Sequence, residues 1–293
     1  MAFGVSNTSL TRNHLVLALG GYVGSVNITG QSTTARPLVI HGGGASLSFA
    51  LGQETVLLRV IDIPATIRHL ELFAAGGNSG LTTGGTDPVL VEDVKVHAGY
   101  YGMATDGVVT LRDVTLDASG VYGIAVFSGS LVLDRAVIQG RTNAVYSGAA
   151  VAVTITNLLA WGSSDRAIEL PQAGGTIASS TIADSGTDSG FGPRAVSCSA
   201  QLTMRSSIVW APGTTTRPAI EGCNLISTIA GPTPVSGAMT VDPQFFDRAN
   251  HDYHLAPSSP ARDAVDTGPG TDFEGDARPQ GARFDIGADE ATL

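Results

Sequence analysis

The stretch "IRHLEL" at residues 67–72 recurs in altered form down the middle of the chain, and this recurrence decides the fold. Its pattern is apolar, variable, variable, small or apolar, variable, apolar. The pattern returns in "VEDVKV" at 91–96, "LRDVTL" at 111–116, "LDRAVI" at 133–138, "ITNLLA" at 155–160, "IASSTI" at 177–182 and "MRSSIV" at 204–209. Successive starts lie 20 to 27 residues apart. A repeat of about 22 residues is typical of the coils of a solenoid.

Each repeat carries two further strand signals. About eleven residues after a hexamer, a small residue precedes an apolar one, as in Gly102 with Met103, Gly123 with Ile124 and Ala144 with Val145. A third short run, such as "VVTL" at 108–111 or "AVTI" at 152–155, leads into the next hexamer. Three short strands per repeat, separated by bend residues, predict a three-sided, right-handed parallel β-helix.

Composition supports an all-β protein and excludes several partners. Glycine occurs 37 times in 293 residues and only 14% of residues are charged, which favours strands and turns over helices. The net charge is −10, and Lys95 is the only lysine. We therefore expect neither nucleic acid nor an anionic membrane as a partner, because both require clustered basic residues.

No apolar run approaches the length of about 20 residues that a membrane-spanning helix needs, so we expect no transmembrane segment. The best candidate for a secretion signal is "LVLALGG" at 15–21, preceded by Arg12 and His14 and lacking a small-residue cleavage pattern. We interpret it as a strand.

Within each hexamer, the first, fourth and sixth positions are predicted to face the core and the second to face solvent. The second position reads Arg68, Glu92, Arg112 and Asp134 down four coils. Charges of alternating sign, stacked at the inter-strand spacing of about 4.8 Å, predict a ladder of ion pairs that helps to set the register.

The third position contains the candidate catalytic residues. It stacks His69, Asp93 and Asp113 on adjacent coils. Two carboxylates about 5 Å apart would suit a retaining glycosidase. The same position is predicted to be a bend, where aspartate is common because its side chain binds local backbone amides. We find none of the Asp-Asp, Gly-His-Gly or Arg-x-Lys motifs of polygalacturonases, nor a basic cluster like that of pectate lyases.

Cys198 and Cys223 are 25 residues apart, about one coil, which allows a disulfide between adjacent turns. Cys198 follows Ala195 by three residues, whereas Cys223 follows the equivalent Ala219 by four. This offset of one residue would turn the two side chains to opposite faces, so buried free thiols are the alternative. A disulfide would indicate an oxidising compartment.

The periodicity stops after residue 230, which predicts two regions: a β-helix over 1–230 and a non-repetitive capping segment over 231–293. The later region resembles the C-terminal part of bacterial secreted β-helix proteins of the choice-of-anchor Q type. The matching residues are Asp242, Pro243, Phe245, Tyr253, Leu255, Ser259, Pro260, Asp263, Asp272, Gly275, Arg278, Pro279, Asp285, Ile286, Gly287, Ala288 and Glu290. Arg262 and Val265 depart from the family pattern. The resemblance implies an extracellular or cell-surface location.

The acidic stretch "DFEGDARPQGARFDIGADE" at 272–290 is interpreted as the cap of the solenoid, since an exposed terminal coil is an open edge. We expect Arg278 and Arg283 to pair with Asp272, Asp276, Asp285 or Glu290. The alternative is a calcium site at Asp272, Glu274 and Asp276, whose alternation suits a hard cation. No other cofactor is expected.

The hexamer's fifth position changes character along the chain. It is polar at Glu71, Lys95 and Thr115 and mostly apolar in the later coils, at Val137, Leu159, Thr181 and Ile208. Such a stripe needs a cover. We predict that the tail folds back over it, with an aromatic residue such as Phe245 or Tyr253 against Val137 or Leu159.

These observations favour a non-catalytic, structural or adhesive rod at the bacterial surface that presents a face to polysaccharides or surface proteins. The alternative is a polysaccharide lyase or glycoside hydrolase that uses the region of His69, Asp93 and Asp113. The two tryptophans, Trp161 and Trp210, are few for the aromatic-lined groove of such an enzyme.

Overall fold

The computed structural model describes residues 3–4, 14–17, 20–29, 37–48, 56–74, 78–117, 120–186, 194–211 and 217–292. Within these ranges the strands are β1 (Phe3–Gly4), β2 (His14–Val16), β3 (Gly21–Val23), β4 (Val26–Thr29), β5 (Leu38–Ser48), β6 (Val56–Ile61), β7 (Ala65–Ala74), β8 (Ser79–Ala98), β9 (Tyr101–Asp117), β10 (Tyr122–Gln139), β11 (Asn143–Tyr146), β12 (Ala152–Trp161), β13 (Ile168–Leu170), β14 (Gly174–Ala178), β15 (Thr181–Ala183), β16 (Val196–Cys198), β17 (Leu202–Arg205), β18 (Ile208–Trp210), β19 (Ile220–Glu221), β20 (Asn224–Ile226), β21 (Ile229–Gly231), β22 (Phe245–Asp247) and β23 (Asp252–Leu255). One 3-10 helix, Arg248–Asn250, separates β22 from β23.

Strands β1 to β21 form one parallel network that wraps around a core. The long strands β7 to β10 bend as they pass from one side of the coil to the next. We name the three sides by the coil of β9: sheet A contains residues 109–112, sheet B contains 114–117, and sheet C contains 103–106. Partners in register lie about one repeat apart, as Leu111 does from Leu133. The predictions of an all-β protein, parallel pairing and a coil of about 22 residues are confirmed.

The bend between sheets A and B is made by the third position of the hexamer. His69, Asp93 and Asp113 have φ values of 54°, 50° and 53°, in the left-handed region, and the same conformation recurs down the column at Arg135, Asn157, Ser179, Ser206 and Ser227. Aspartate, asparagine and histidine are enriched among the non-glycine residues that adopt this conformation. A single left-handed residue therefore turns the chain from sheet A to sheet B in most coils.

The core is a stack of equivalent side chains. Ile67, Leu70 and Leu72, at the first, fourth and sixth positions of one hexamer, are buried, as predicted. Small residues at the start of sheet C allow close approach of the coils. At Gly102, for example, a Cβ atom would lie 2.7 Å from the carbonyl oxygen of Gly123 and would also meet the Leu116 side chain.

The segment after β21 leaves the coil and packs on the outside of sheet B. Strands β22 and β23 pair antiparallel there. Leu159 is buried in a cluster with Tyr253, and Val137 packs at its edge. Ile208 lies in a second cluster with Leu255 and Ile286. The predicted folding of the tail over the apolar fifth position is confirmed, whereas the division at residue 230 into two domains stays a prediction.

Two further predictions concern the N-terminal strand and membrane-spanning segments. The strand predicted at 15–21 falls partly outside the described residues, which include 14–17, with β2 ending at Val16, and resume at Gly20. None of the helical structure in the described ranges has the length and apolarity to cross a bilayer.

Candidate functional site

The candidate site is a groove of about 450 Å³ at the bend between sheets A and B in the N-terminal coils. Its lining comes from three successive coils: Gly43, Gly44, His69, Leu70, Glu71, Asp93 and Lys95. Two of the three candidate catalytic residues, His69 and Asp93, are therefore brought together in it.

The groove opens where the β5 bend is longer than its neighbours. Three residues, 42–44, stand opposite the single bend residue His69, because His41 pairs with Arg68 and Ala45 pairs with Leu70. The backbone of the enlarged bend lies directly on the next coil. A Cβ atom at Gly42 would collide with the carbonyl carbon and oxygen of His69. Glycine at this position therefore permits the close approach that widens the corner.

His69 and Asp93 form a hydrogen-bonded pair across adjacent coils. Nδ1 of His69 lies 2.6 Å from Oδ2 of Asp93, and their side chains are 44% and 57% exposed. The His41 ring lies beside that of His69, with centroids 4.9 Å apart. Asp93 thus orients the imidazole through one nitrogen, which leaves Nε2 as the atom that can exchange a proton with a ligand.

Asp113 does not join this pair. Its two carboxylate oxygens accept hydrogen bonds from Arg135, from Nε at 2.6 Å and from Nη2 at 2.9 Å. It is not among the described residues that line the groove. Asp93 and Asp113 were considered as the two carboxylates of a glycosidase. The structure does not support this pairing, because the guanidinium group of Arg135 already donates hydrogen bonds to both oxygens of Asp113.

A second acid–base chain lies on sheet B beside the groove. Nε2 of His97 is 2.7 Å from Glu71 Oε1, and its Nδ1 is 2.6 Å from Asp117 Oδ2. The ring of Phe73 stacks on that of His97 at 4.4 Å. His97 was not predicted as a site residue from the sequence, although Glu71 and Asp117 lie about one repeat before and after it.

The predicted charge ladder lies on the sheet A side of the groove. Glu92 forms an ion pair with Arg68, whose Nε lies 2.9 Å from Glu92 Oε2. Glu92 Oε1 accepts a hydrogen bond from Arg112 Nη1 at 3.4 Å, and Arg112 Nε lies 3.9 Å from Asp134 Oδ2. The ladder prediction is confirmed. These pairs are partly exposed, so each contributes less than about 1 kcal/mol to stability.

The tail contacts the A–B corner two coils beyond the groove. Thr271 receives a hydrogen bond from Asn157 Nδ2 at its carbonyl oxygen, at 3.0 Å, and a longer one from Arg135 Nη1 at its hydroxyl, at 3.4 Å. Both donors belong to the left-handed column that starts at His69. The tail therefore contacts this corner at Arg135 and Asn157, whereas the groove occupies an earlier part of the corner.

Sheet C carries an aromatic surface that the sequence-based expectations did not include, because they considered only tryptophans for a sugar-binding groove. It consists of Tyr100, Tyr101, Tyr122, Phe127 and Tyr146, named here the aromatic face. The rings of Tyr101 and Tyr122 stack at 5.3 Å, and those of Tyr122 and Tyr146 lie 4.6 Å apart. The signal was present in the sequence, since Tyr101 and Tyr122 are one coil apart.

Cys198 and Cys223 form a disulfide with a Cα–Cα distance of 5.1 Å. It ties the end of β16 to the turn after β19, on the next coil.

The acidic tail cluster is organised by its own backbone. Ligand atoms of Asp272, Glu274 and Asp276 all lie within 4.8 Å of one another. Oδ1 of buried Asp272, however, accepts the backbone N–H groups of Glu274 and Asp276, each at 2.9 Å. Glu274 in turn lies 3.0 Å from His254 Nε2. These hydrogen bonds explain why the three carboxylates lie close together, because they belong to one turn. The calcium site stays a prediction.

Of the two arginines in the acidic stretch 272–290, only Arg278 pairs as expected. Its Nε lies 2.8 Å from Glu290 Oε2, and both side chains are fully buried. Arg278 also donates to the carbonyl oxygens of Gly287 and Asp285. The expectation for Arg283 was wrong: it pairs with Asp266, at 2.8 Å in an exposed position, because the chain between 266 and 283 doubles back.

The fold and groove together define a parallel β-helix protein with an acid–base groove at one corner. No family model matches the chain, and no curated protein matches it. Among solved structures, the crystal structure of pectate lyase Pel9A is similar, with a TM-score of 0.58 and 13% identity over 94% of this chain and 87% of that one. At this identity the likeness shows the fold alone.

Proposed function

We propose that this protein is a polysaccharide-binding β-helix that holds a sugar chain in the groove at the A–B corner. The observation that carries the proposal is the pair of His69 and Asp93, with Glu71 and Lys95 beside it on sheet B. A row of carboxylate, imidazole and ammonium groups supplies donors and acceptors for sugar hydroxyls. The groove also runs from coil to coil, so its direction suits an extended polymer.

The proposed location is extracellular or at a bacterial cell surface. The disulfide between Cys198 and Cys223 supports an oxidising compartment. The tail residues that resemble the choice-of-anchor Q type support the same location. We propose a structural or adhesive role with a surface glycan as the partner, and the open corner of the stacked coils supports this proposal. Surface proteins are the other partner class expected from the sequence.

The binding proposal is tested by affinity electrophoresis in native gels that contain a soluble polysaccharide. Polygalacturonate, alginate, xylan and galactomannan cover acidic and neutral chains. We expect at least one of these chains to retard the protein by binding in the groove, so that His69→Ala combined with Asp93→Asn abolishes the retardation by that chain. Asp266→Asn is the matched control, because it removes an equal charge from an exposed tail site. Equal retardation of the groove variant and the control would rule out this groove.

A second candidate is catalysis at the same place, a polysaccharide lyase acting on a uronate chain. The favouring observation is the orientation of His69 by Asp93, with the ammonium group of Lys95 lining the same groove. Nε2 of His69 would take the proton from the carbon next to the uronate carboxyl, and Lys95 would stabilise the negative charge that develops. The bond to the leaving sugar oxygen then breaks, a carbon–carbon double bond forms, and the leaving oxygen takes up a proton.

Lyase activity is measured by the ultraviolet absorbance of the unsaturated product from polygalacturonate or alginate. Lys95→Met and His69→Ala should each remove the activity, and Asp93→Asn should reduce it by about ten- to a hundredfold, as loss of an orienting partner does. Absence of product from both uronate chains leaves the binding proposal. New reducing ends without absorbance would indicate hydrolysis instead.

A further inference from the structure

We propose that the aromatic face of sheet C is a second glycan-binding surface, which takes a neutral polysaccharide lying along the rod. The groove lies at the corner between sheets A and B, whereas the aromatic face belongs to the third side of the coil. The two sites are therefore independent in position and in chemistry, and this inference does not rest on the function proposed for the groove.

The first argument is the direction of the rings. Tyr101 and Tyr122 are partners in register, and their planes differ by only 14°. Stacked rings shield each other's faces and leave their edges and hydroxyl groups outward. Tyr100 stands at 66° to Tyr122, and Phe127 stands at 82° to Tyr101. The planes of these two rings therefore run along the direction of the stack, which is the direction of the rod.

The second argument is exposure. Tyr100 is 40% exposed and Phe127 is 45% exposed. Phe127 is the extra residue of a bulge, since Val126 pairs with Thr105 while Ser128 pairs with Asp106. The bulge turns a large apolar ring outward directly after the buried residues 124–126. Bulges of this kind commonly re-aim a side chain toward a ligand.

The third argument is the polar rim. On one side, the Ser128 hydroxyl donates to Asp106. On the other side, Glu169 is held by Arg166 at 2.7 Å and by Asn143 at 3.1 Å. The Asp106 carboxylate at one edge repels an anionic polymer, and the carboxylate oxygens of both Asp106 and Glu169 can accept hydrogen bonds from sugar hydroxyls. Rings that stack on the apolar face of a sugar, with fixed polar groups beside them, match a neutral polysaccharide.

The tyrosine hydroxyls keep the surface neutral. Partial burial and the neighbouring phenols raise the pKa of both Tyr101 and Tyr122 above the usual value. These hydroxyl groups therefore stay protonated across the physiological range, and each can donate as well as accept a hydrogen bond.

The test is affinity electrophoresis with soluble xylan, galactomannan and hydroxyethyl cellulose, with polygalacturonate as the acidic comparison. We expect a neutral chain to retard the protein, and Tyr100→Ala combined with Phe127→Ala to weaken that binding at least about tenfold, as loss of two aromatic anchors does. The control is Phe246→Ala, another exposed ring, located in the tail.

Three results would overturn the proposal. One is that none of the neutral chains retards the protein; another is that the aromatic variant binds as tightly as the Phe246→Ala control. The third is that the aromatic variant changes only the sedimentation coefficient, which would make the face a contact between copies of the chain. Unchanged melting temperature and circular dichroism of the variant show that a loss of binding is not a loss of folding.

Discussion

Nδ1 of His69 lies 2.6 Å from Oδ2 of Asp93, although 24 residues separate them in sequence. Both residues occupy the left-handed bend between sheets A and B, with φ values of 54° and 50°. Because parallel coils stack in register, equivalent bend residues come within hydrogen-bonding distance. The same geometry joins Arg135 to Asp113 one step further along the column.

Replacing Gly42 by alanine should destabilise the protein, because the added Cβ would collide with the His69 backbone. We expect a loss of about 1–3 kcal/mol in the free energy of unfolding, the usual cost of overpacking. Gly270→Ala is the control, since nothing lies within 4 Å of a Cβ there. Equal denaturation midpoints for the two variants would contradict the close approach of the β5 bend to the next coil.

Replacing Arg278 by methionine should be severe, because it leaves the buried carboxylate of Glu290 without its partner. Breaking a buried pair in this way costs about 3–5 kcal/mol. Arg283→Met removes an exposed arginine from the same tail and should change stability by less than about 0.5 kcal/mol. Urea denaturation of both variants checks this; similar effects would mean that the tail is not held by its buried pair.

Asp289 should make the protein less stable as the pH rises from about 4 to 6. Burial raises the pKa of this carboxyl group to about 6 from 3.8, although the backbone N–H of Leu255 donates to it. The folded state then binds a proton more tightly than the unfolded state, so stability is lost on deprotonation, by up to about 3 kcal/mol.

The variant Asp289→Asn tests this pH dependence. Its amide oxygen can still accept the bond from Leu255, and it carries no charge. We expect a higher melting temperature than that of the natural protein at pH 7.5 and little difference at pH 4. A melting temperature that is lower at both pH values would show that the carboxylate is needed for a reason other than its charge.

Chelation of divalent cations should leave the melting temperature unchanged, because the turn at Asp272 is already satisfied by backbone N–H groups. The measurement is thermal denaturation with calcium and with excess EDTA. A fall in melting temperature with EDTA that disappears in Asp272→Asn with Asp276→Asn would establish the calcium site and refute this expectation.

Ending the chain at Thr240 should leave a folded but association-prone rod. Removal of the tail uncovers Leu159, Ile208 and Trp210, which pack against it in the full chain. An exposed apolar stripe of this kind binds hydrophobic dyes and promotes self-association. Dye fluorescence and sedimentation velocity measure both effects, and a monomeric truncated protein that does not bind dye would contradict the covering role of the tail.

Several features could be predicted from the sequence because they are periodic. The hexamer repeat determined the parallel coil, the inward positions and the ladder of Arg68, Glu92 and Arg112. In a parallel stack, neighbours in space are residues one period apart in sequence, so the ladder follows directly from the repeat. The apolar fifth position also predicted that the tail would cover Leu159.

Only the tertiary structure decided the positions of the groove, of Phe127 and of the tail. These positions depend on bulges that depart locally from the repeat and on the tail, which has no repeat. Two extra residues in the β5 bend open the groove beside His69, and one extra residue in β10 turns Phe127 outward. Arg283 pairs with Asp266 rather than with the acidic stretch because the non-repetitive chain doubles back. The repeat determines which residues stack in the regular coils. The positions of the bulges and of the tail are determined by packing between segments that are not related by the repeat.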